Sequence, residues 1–165
     1  MVGMNFPNWI LSLPKEVAVG FMASLPIFEL RGSIPLGVSL GLPLIKVYFL
    51  SLLGNLIPVV PLLILFKYFF HRLEEVRFLG RFFRWWFRKV EKKSKIVEKW
   101  GFWGLVFFVA IPFPATGAWT GAVAANLFEM KIRKATLAIL IGVAIAGIIV
   151  SLVVSGVIQL YFAAK

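Results

Sequence analysis

Two apolar runs set the limits on any fold this chain can adopt. Leu44 to Phe70 and Ala135 to Ala164 are each longer than the roughly 20 residues a helix needs to cross a bilayer. The first is interrupted by Pro58 and Pro61, and the second is almost uniformly apolar. Of the 165 residues, 61% are hydrophobic, and 17 Phe and 6 Trp are among them. Soluble domains carry about 45–50% apolar residues, so too little polar material remains here to coat a surface. The sequence predicts an all-α integral membrane protein with multiple passes.

Shorter apolar pieces lie between the long ones. Val17 to Phe28 and Leu36 to Leu42 flank "PIFELRGSIP"; Gly101 to Ile111 and Thr120 to Phe128 flank "PFPATGAW". None spans singly. Each pair reads either as one kinked span or as a re-entrant hairpin that enters and leaves on one side.

Charge separates these readings in the second half. Lys plus Arg number 18 against 7 acids, all Glu, for a net charge of +11. Between Lys67 and Lys99 lie eleven basic residues and four Glu, so this segment holds +7 of the total. Cytoplasmic loops are rich in Lys and Arg, which places residues 71–99 on the cytoplasmic side of the cell membrane. "KIRK", Lys131 to Lys134, stays on that side only if the second pair is a hairpin. The first half follows by symmetry: short piece, proline-rich break, short piece, long span, occurring twice. Pro26, Gly32 and Gly37 match Pro112, Gly117 and Gly121. One span separates the hairpins, so the second enters from the opposite face. The expectation is a single membrane domain of two inverted repeats, about 16–70 and 101–164. Each is a re-entrant helical hairpin plus one transmembrane helix, and a basic amphipathic helix over about 71–100 joins them.

In that connector Arg77, Arg81, Arg84, Arg88, Lys92, Lys95 and Lys99 recur at helical spacing. Leu79, Phe82, Phe83, Trp86, Val90 and Val97 do so on another face. Such a helix suits the headgroup layer, with membrane lipids and their anionic headgroups as partners; the alternative is a solvated connector. Basicity on an apolar chain does not point to nucleic acid. Small residues four apart in the last run, Ala138, Gly142, Ala146 and Gly147, Ser151, Ser155, let helices approach closely. They predict packing on the first span or on a second copy, and a homodimer is expected.

The break "FELRGSIP" holds the candidate chemistry. An ionised residue in hydrocarbon usually faces a cavity or a partner. Glu29 is a candidate proton carrier, and the planar guanidinium of Arg31 fits phosphate oxygens. Gly32 and Ser33 complete a polar break, which membrane protein tolerates where protein or water receives the backbone. The alternative is a surface loop that holds two helices together. In the second break, Thr116, Thr120 and the N–H groups near Gly117 offer an oxyanion site at a helix N-terminus, or else a hairpin tip with Thr116 as cap. Trp119 reads as an interfacial anchor or a stacking wall. Asn55, beside Gly54, is a candidate hinge or path residue, or an interhelical hydrogen-bonding group. There is no cysteine, no metal-ligand cluster, no nucleotide loop and no Ser/His/Asp set. Neither an enzyme nor a cofactor is expected.

Taken together, "ELRGSIP" and "PFPATGAW" resemble the motifs of the bacterial and archaeal small multidrug export family, related to the DedA superfamily of membrane proteins. The resemblance covers about Glu16 to Ala164. It implies a re-entrant, inverted-repeat fold, lipid transport and dependence on the proton gradient. Glu29 matches the membrane-embedded acids of DedA proteins. The second motif has no arginine where those proteins carry essential ones, and Arg31 is expected to supply the cation. The leading expectation is a flippase for phosphate-bearing lipids such as polyprenyl phosphate. Arg31 and the Thr116–Gly117 backbone would hold the headgroup, and Glu29 would couple movement to protons. The alternative is a proton-coupled exporter of cationic amphiphiles in which Glu29 binds the cargo.

Overall fold

The structure is a computed structural model and describes residues 13–75, 85, 88–92, 94–113 and 116–163. Among them it is helical, with no strand. The helices are α1 (Lys15–Ser24), α2 (Glu29–Ser39), α3 (Leu44–Leu56), α4 (Val59–Glu75), α5 (Lys95–Ala110), α6 (Ala118–Leu127) and α7 (Ile132–Ala163). They fall into two compact units. One takes Met1–Ile57 and Ala144–Lys165, the other Pro58–Val143.

Two stretches are long and apolar enough to cross a membrane, Leu44–Tyr68 and Ile132–Leu160. At about 1.5 Å per residue each exceeds a hydrocarbon core of about 30 Å. Within the most apolar 18 residues of each, only 39% and 33% are buried. Ile45, Phe49, Leu53 and Ile57, at successive fourth positions, are 56–72% exposed. A continuous outward apolar stripe of this kind suits lipid rather than water. Pro58 has no N–H for the Gly54 carbonyl and ends α3, while Pro61 sits in the first turn of α4, where backbone donors lack helical partners anyway.

In the first unit α1, α2 and α3 pack on one another around Ala18, Val19, Met22, Leu36 and Val47, all buried. Their outer ends are tied together. Lys15 Nζ donates to the carbonyl of Leu40, the C-cap of α2, at 2.8 Å. Lys46 of α3 pairs with Glu16 of α1 at 2.7 Å. Inside, small residues set the spacing. A Cβ on Gly54 would run into the backbone carbonyl of Gly20, and one on Gly37 would meet Val47 at 2.7 Å and Val19 at 2.9 Å. The C-terminal part of α7 joins this unit. The Tyr48 hydroxyl donates to the Ala144 carbonyl at 3.2 Å, and a Cβ on Gly147 would meet the Tyr48 ring at 2.8 Å.

The second unit holds α4, α5, α6 and the N-terminal part of α7. A Cβ on Gly121 of α6 would meet Val109 of α5 at 2.6 Å and Ile139 of α7 at 3.5 Å. Gly142 of α7 meets Val109 and the Val106 carbonyl just as closely. Asn126 Nδ2 donates to the Ala122 carbonyl at 2.9 Å and reaches the Leu63 carbonyl of α4 at 3.4 Å. Gly101 bends α5 with φ 53° and ψ −118°, a backbone conformation open to glycine.

The first break differs in detail from its reading in the sequence. The chain leaves helix over Leu25 to Phe28, and both Gly32 and Pro35 lie inside α2. Gly32 is needed for space, since a Cβ there would meet Phe28 Cβ at 2.8 Å. In the connector, Arg77, Leu79, Arg81, Phe82, Phe83, Arg84 and Trp86 lie outside the described residues. Residues 88–92 are helical with Val90 buried, and Lys89 sits over the exposed Trp85 ring at 4.8 Å. Ser94 then interrupts the helix, so Lys95 to Lys99 form the start of α5 rather than the end of the connector.

Candidate functional site

The first break places an acid where acids are rarely found. Glu29 opens α2 and is 7% exposed. Its φ of 47° is left-handed, a conformation that costs an L residue about 1–2 kcal/mol. Strain on a buried ionisable residue at a helix start is characteristic of functional positions. Arg31 follows two residues later and is half-buried, within electrostatic reach of the Glu29 carboxylate.

Four residues after Glu29, Ser33 is fully buried. Its hydroxyl donates to Ser51 Oγ of α3 at 2.7 Å. Asn55, one turn beyond Ser51, is also fully buried, and neither its Nδ2 nor its Oδ1 has a hydrogen-bond partner. Ser151 Oγ in the same unit is buried without a partner as well. Ser33 and Asn55 thus lie along the facing sides of α2 and α3, and Glu29, Arg31 and Gly32 lie on the first turns of α2. Ser51 was missed in the sequence. Its signal was the i, i+4 spacing to Asn55, which puts both on one face of a helix.

Thr116, Gly117, Trp119 and Thr120 belong to the second unit. The Thr116 hydroxyl lies 2.7 Å from both the Ile111 and Phe113 carbonyls, and the Phe113 N–H points to it at 3.2 Å. It therefore ties its own loop together. Gly117 is the N-cap of α6 with φ 140°, a backbone that favours glycine. Its carbonyl accepts from the Gly121 N–H at 2.8 Å and from Thr120 Oγ1 at 3.3 Å. Thr120 is buried and Trp119 half-buried. Both break tips expose apolar side chains, Ile27 at 85% and Phe113 at 67%. Among the described residues no group of three His, Cys, Asp or Glu is placed to hold a metal.

No curated protein and no solved structure matches the chain. A family model does, over residues 29–149, from Glu29 at the start of α2 into α7, and its description is "Putative small multi-drug export protein". The match begins just after Leu25 to Phe28 and takes in α2, the first spanning stretch, the basic connector, the second break and the first part of the second spanning stretch. With its two membrane-length apolar helices, this chain is a membrane protein and belongs to the small multi-drug export protein family.

Proposed function

We propose that the protein is a multi-pass transporter of the cell membrane that exports small cationic amphiphiles, with Glu29 as the residue that meets the cargo and couples its movement to protons. The observation that carries this reading is the buried carboxyl of Glu29 at the start of α2, in a chain whose surroundings are largely lipid. A carboxylate at that depth is held only where it has work or a partner. No enzymatic role is proposed.

Re-entrant hairpins in an inverted repeat are part of the proposal. Lys15, Glu16, Leu40 and Lys46 gather at one end of the first unit. From Leu40 back to Glu29 the helix rises about 16 Å, half of a bilayer core. Such a hairpin would reach mid-membrane and return. The repeat is supported by matching environments: Gly37 lies against Val19 and Val47, and Gly121 against Val109 and Ile139. In each case the glycine of the second short helix lets the helices before and after it close in. It is supported too by the division into units. Each unit contains three successive helices from one half of the sequence and a long-helix segment from the other half. Kinship with the DedA superfamily belongs to the same reading, as does a basic connector lying on the anionic inner leaflet.

A second reading, transport of phosphate-bearing lipids such as polyprenyl phosphate, is favoured by one specific feature. Arg31 is half-buried on α2, four residues after the exposed Ile27 of the first break, and an apolar tail would stay in lipid while its phosphate crosses. Both readings are tested in sealed liposomes with a pH gradient. A fluorescent cationic amphiphile and a labelled polyprenyl phosphate are followed with wild type, Glu29→Gln and Arg31→Ala. Export expects amphiphile movement lost in Glu29→Gln and kept in Arg31→Ala. Lipid transport expects polyprenyl phosphate movement lost in both variants. Movement of neither probe by folded protein overturns both.

A further inference from the structure

Asn55 poses a physical problem that the packing leaves open. Its carboxamide is fully buried, and neither polar atom has a partner among the described residues. Burying such a group unpaired is unfavourable, and more so near the middle of a membrane-length apolar stretch, where water is scarce. Glu29 and Arg31 interact with each other and are not needed to account for it.

The second half of the chain shows what the position requires. The helix pairs α2–α3 and α6–α7 match residue by residue at one constant displacement along the sequence. The first pair turns through Gly41 at φ 79°, and the Leu42 N–H donates to the Gly37 carbonyl at 3.1 Å. The second turns through Glu129 at φ 52°, and the Met130 N–H donates to the Ala125 carbonyl at 2.8 Å. The same displacement carries Ser33 and Ser51, which touch through their hydroxyls, onto Gly121 and Ile139, where a Cβ on the glycine would lie 3.5 Å from the isoleucine. It carries Gly54, pressed on the carbonyl of Gly20, onto Gly142, where a Cβ would lie 2.9 Å from the carbonyl of Val106. This register sets Gly121 against Ser33, one turn from the match with Gly37 that the sequence suggests, and it fits backbone and contacts together.

In that register Asn55 corresponds to Val143, which is also buried. Pro58 corresponds to Ala146. Helix α7 runs unbroken through both positions, whereas α3 ends just after Asn55. The second half thus builds equivalent packing from apolar residues and continuous helix. The carboxamide, the two hydroxyls and the break of the first half exceed what that packing requires. Polar groups and interrupted helices at mid-membrane occur where a cavity or a substrate path receives them.

We propose that Asn55, with the Ser33–Ser51 pair one turn away, lines the transport path, that the path lies in the first half of the chain, and that the carboxamide hydrogen-bonds a neutral polar group there. The carboxamide offers both donors and an acceptor. Its ligand is therefore water, or a hydroxyl, amino or amide group of the cargo. The proposal rests on the reading of the protein as a transporter built from two repeats.

Asn55→Cys and Val143→Cys test this, since each puts the only cysteine of the full chain at one of the two equivalent positions. A small charged methanethiosulfonate reagent is added to open membranes, so that it reaches both faces. It attacks the thiolate, which forms in water and is suppressed in apolar surroundings. Position 55 should react at least about tenfold faster than position 143, the effect of one unit in thiol acidity. Ethidium, an aromatic cation with amino groups, is the cargo probe. Labelling slowed by ethidium assigns the contact to cargo, and labelling unchanged by it assigns the contact to water. Asn55→Val copies the equivalent residue, so it should melt no lower than wild type, yet move ethidium roughly tenfold more slowly in sealed liposomes, the scale of one hydrogen bond. Equally slow labelling at both positions, or wild-type transport by Asn55→Val, overturns the proposal. A lowered midpoint with transport reduced in parallel returns Asn55 to a structural role and overturns it too. Transport that depends on Glu29, with position 55 unlabelled, removes this inference and leaves the transport reading standing. Fast labelling at position 55 in a protein that moves no probe keeps the hydrogen-bonding site and removes the transport reading.

Discussion

The Ser33 hydroxyl donates to the Ser51 hydroxyl at 2.7 Å, with both residues fully shielded from solvent. This bond fixes how α2 lies on α3, and with it the positions of Glu29 and Asn55.

Removing either hydroxyl leaves the other buried and unpaired. Ser33→Ala and Ser51→Ala should each destabilise the protein by about 1 kcal/mol. The double variant should lose less than the sum, because no orphan remains. Reversible unfolding in mixed micelles measures all three. Strict additivity would show that the pair does not couple the helices.

Gly20 and Gly54 touch, but only one of them needs to be glycine. A Cβ on Gly54 would collide with the Gly20 carbonyl, whereas a Cβ on Gly20 meets nothing within 4 Å. Gly54→Ala should cost about 1–3 kcal/mol, as overpacking does. Gly20→Ala should be neutral or stabilise by up to about 1 kcal/mol through helix propensity. The same unfolding assay separates them, and equal effects would contradict the close approach of α3 to α1.

That contact shows how far the sequence could be read. Apolar runs, proline breaks and the +7 segment were visible because length, composition and charge report directly on a membrane solvent. Glu29 stood out for the same reason. The placing of Pro35 and Gly32 inside α2 was not visible, because local breaker propensity gave way to packing of α2 against α1 and α3. Nor was the Ser33–Ser51 bond, since nothing in either residue's neighbourhood names its partner. Asn55 was noted for its polarity and its prolines, but its lack of a partner is a property of three dimensions only. The division of the helices into units, with α4 and the end of α7 each outside the unit of its own half, had no local signal at all.

The Glu16–Lys46 pair predicts a pH effect. The hydrogen bond from Lys46 holds the Glu16 carboxyl below its ordinary value of 4.5, with a backbone hydrogen bond and the Lys46 charge adding to this. A carboxyl with a lowered folded-state value stabilises the fold above its ordinary value and loses that contribution as pH falls through the lowered one. Wild type should therefore melt higher than Glu16→Gln at pH 7, and the gap should close as pH falls below 4.5. The pair is exposed, so the gap should be small and should shrink with salt. A gap independent of pH would show that Glu16 acts through packing alone.

The central claim is that the short helical pair of each half enters the membrane and returns to the side it came from, before the long helix of that half crosses. Because the chain has no cysteine, single cysteines report without background. Pro14→Cys and Pro43→Cys flank the first hairpin, and Lys95→Cys and Lys131→Cys flank the second. In intact cells, a membrane-impermeant thiol reagent should label the first pair alike and from outside. The second pair should be labelled only after the cells are opened. Labelling of positions 14 and 43 from opposite sides would make the first break a kinked span and contradict the account.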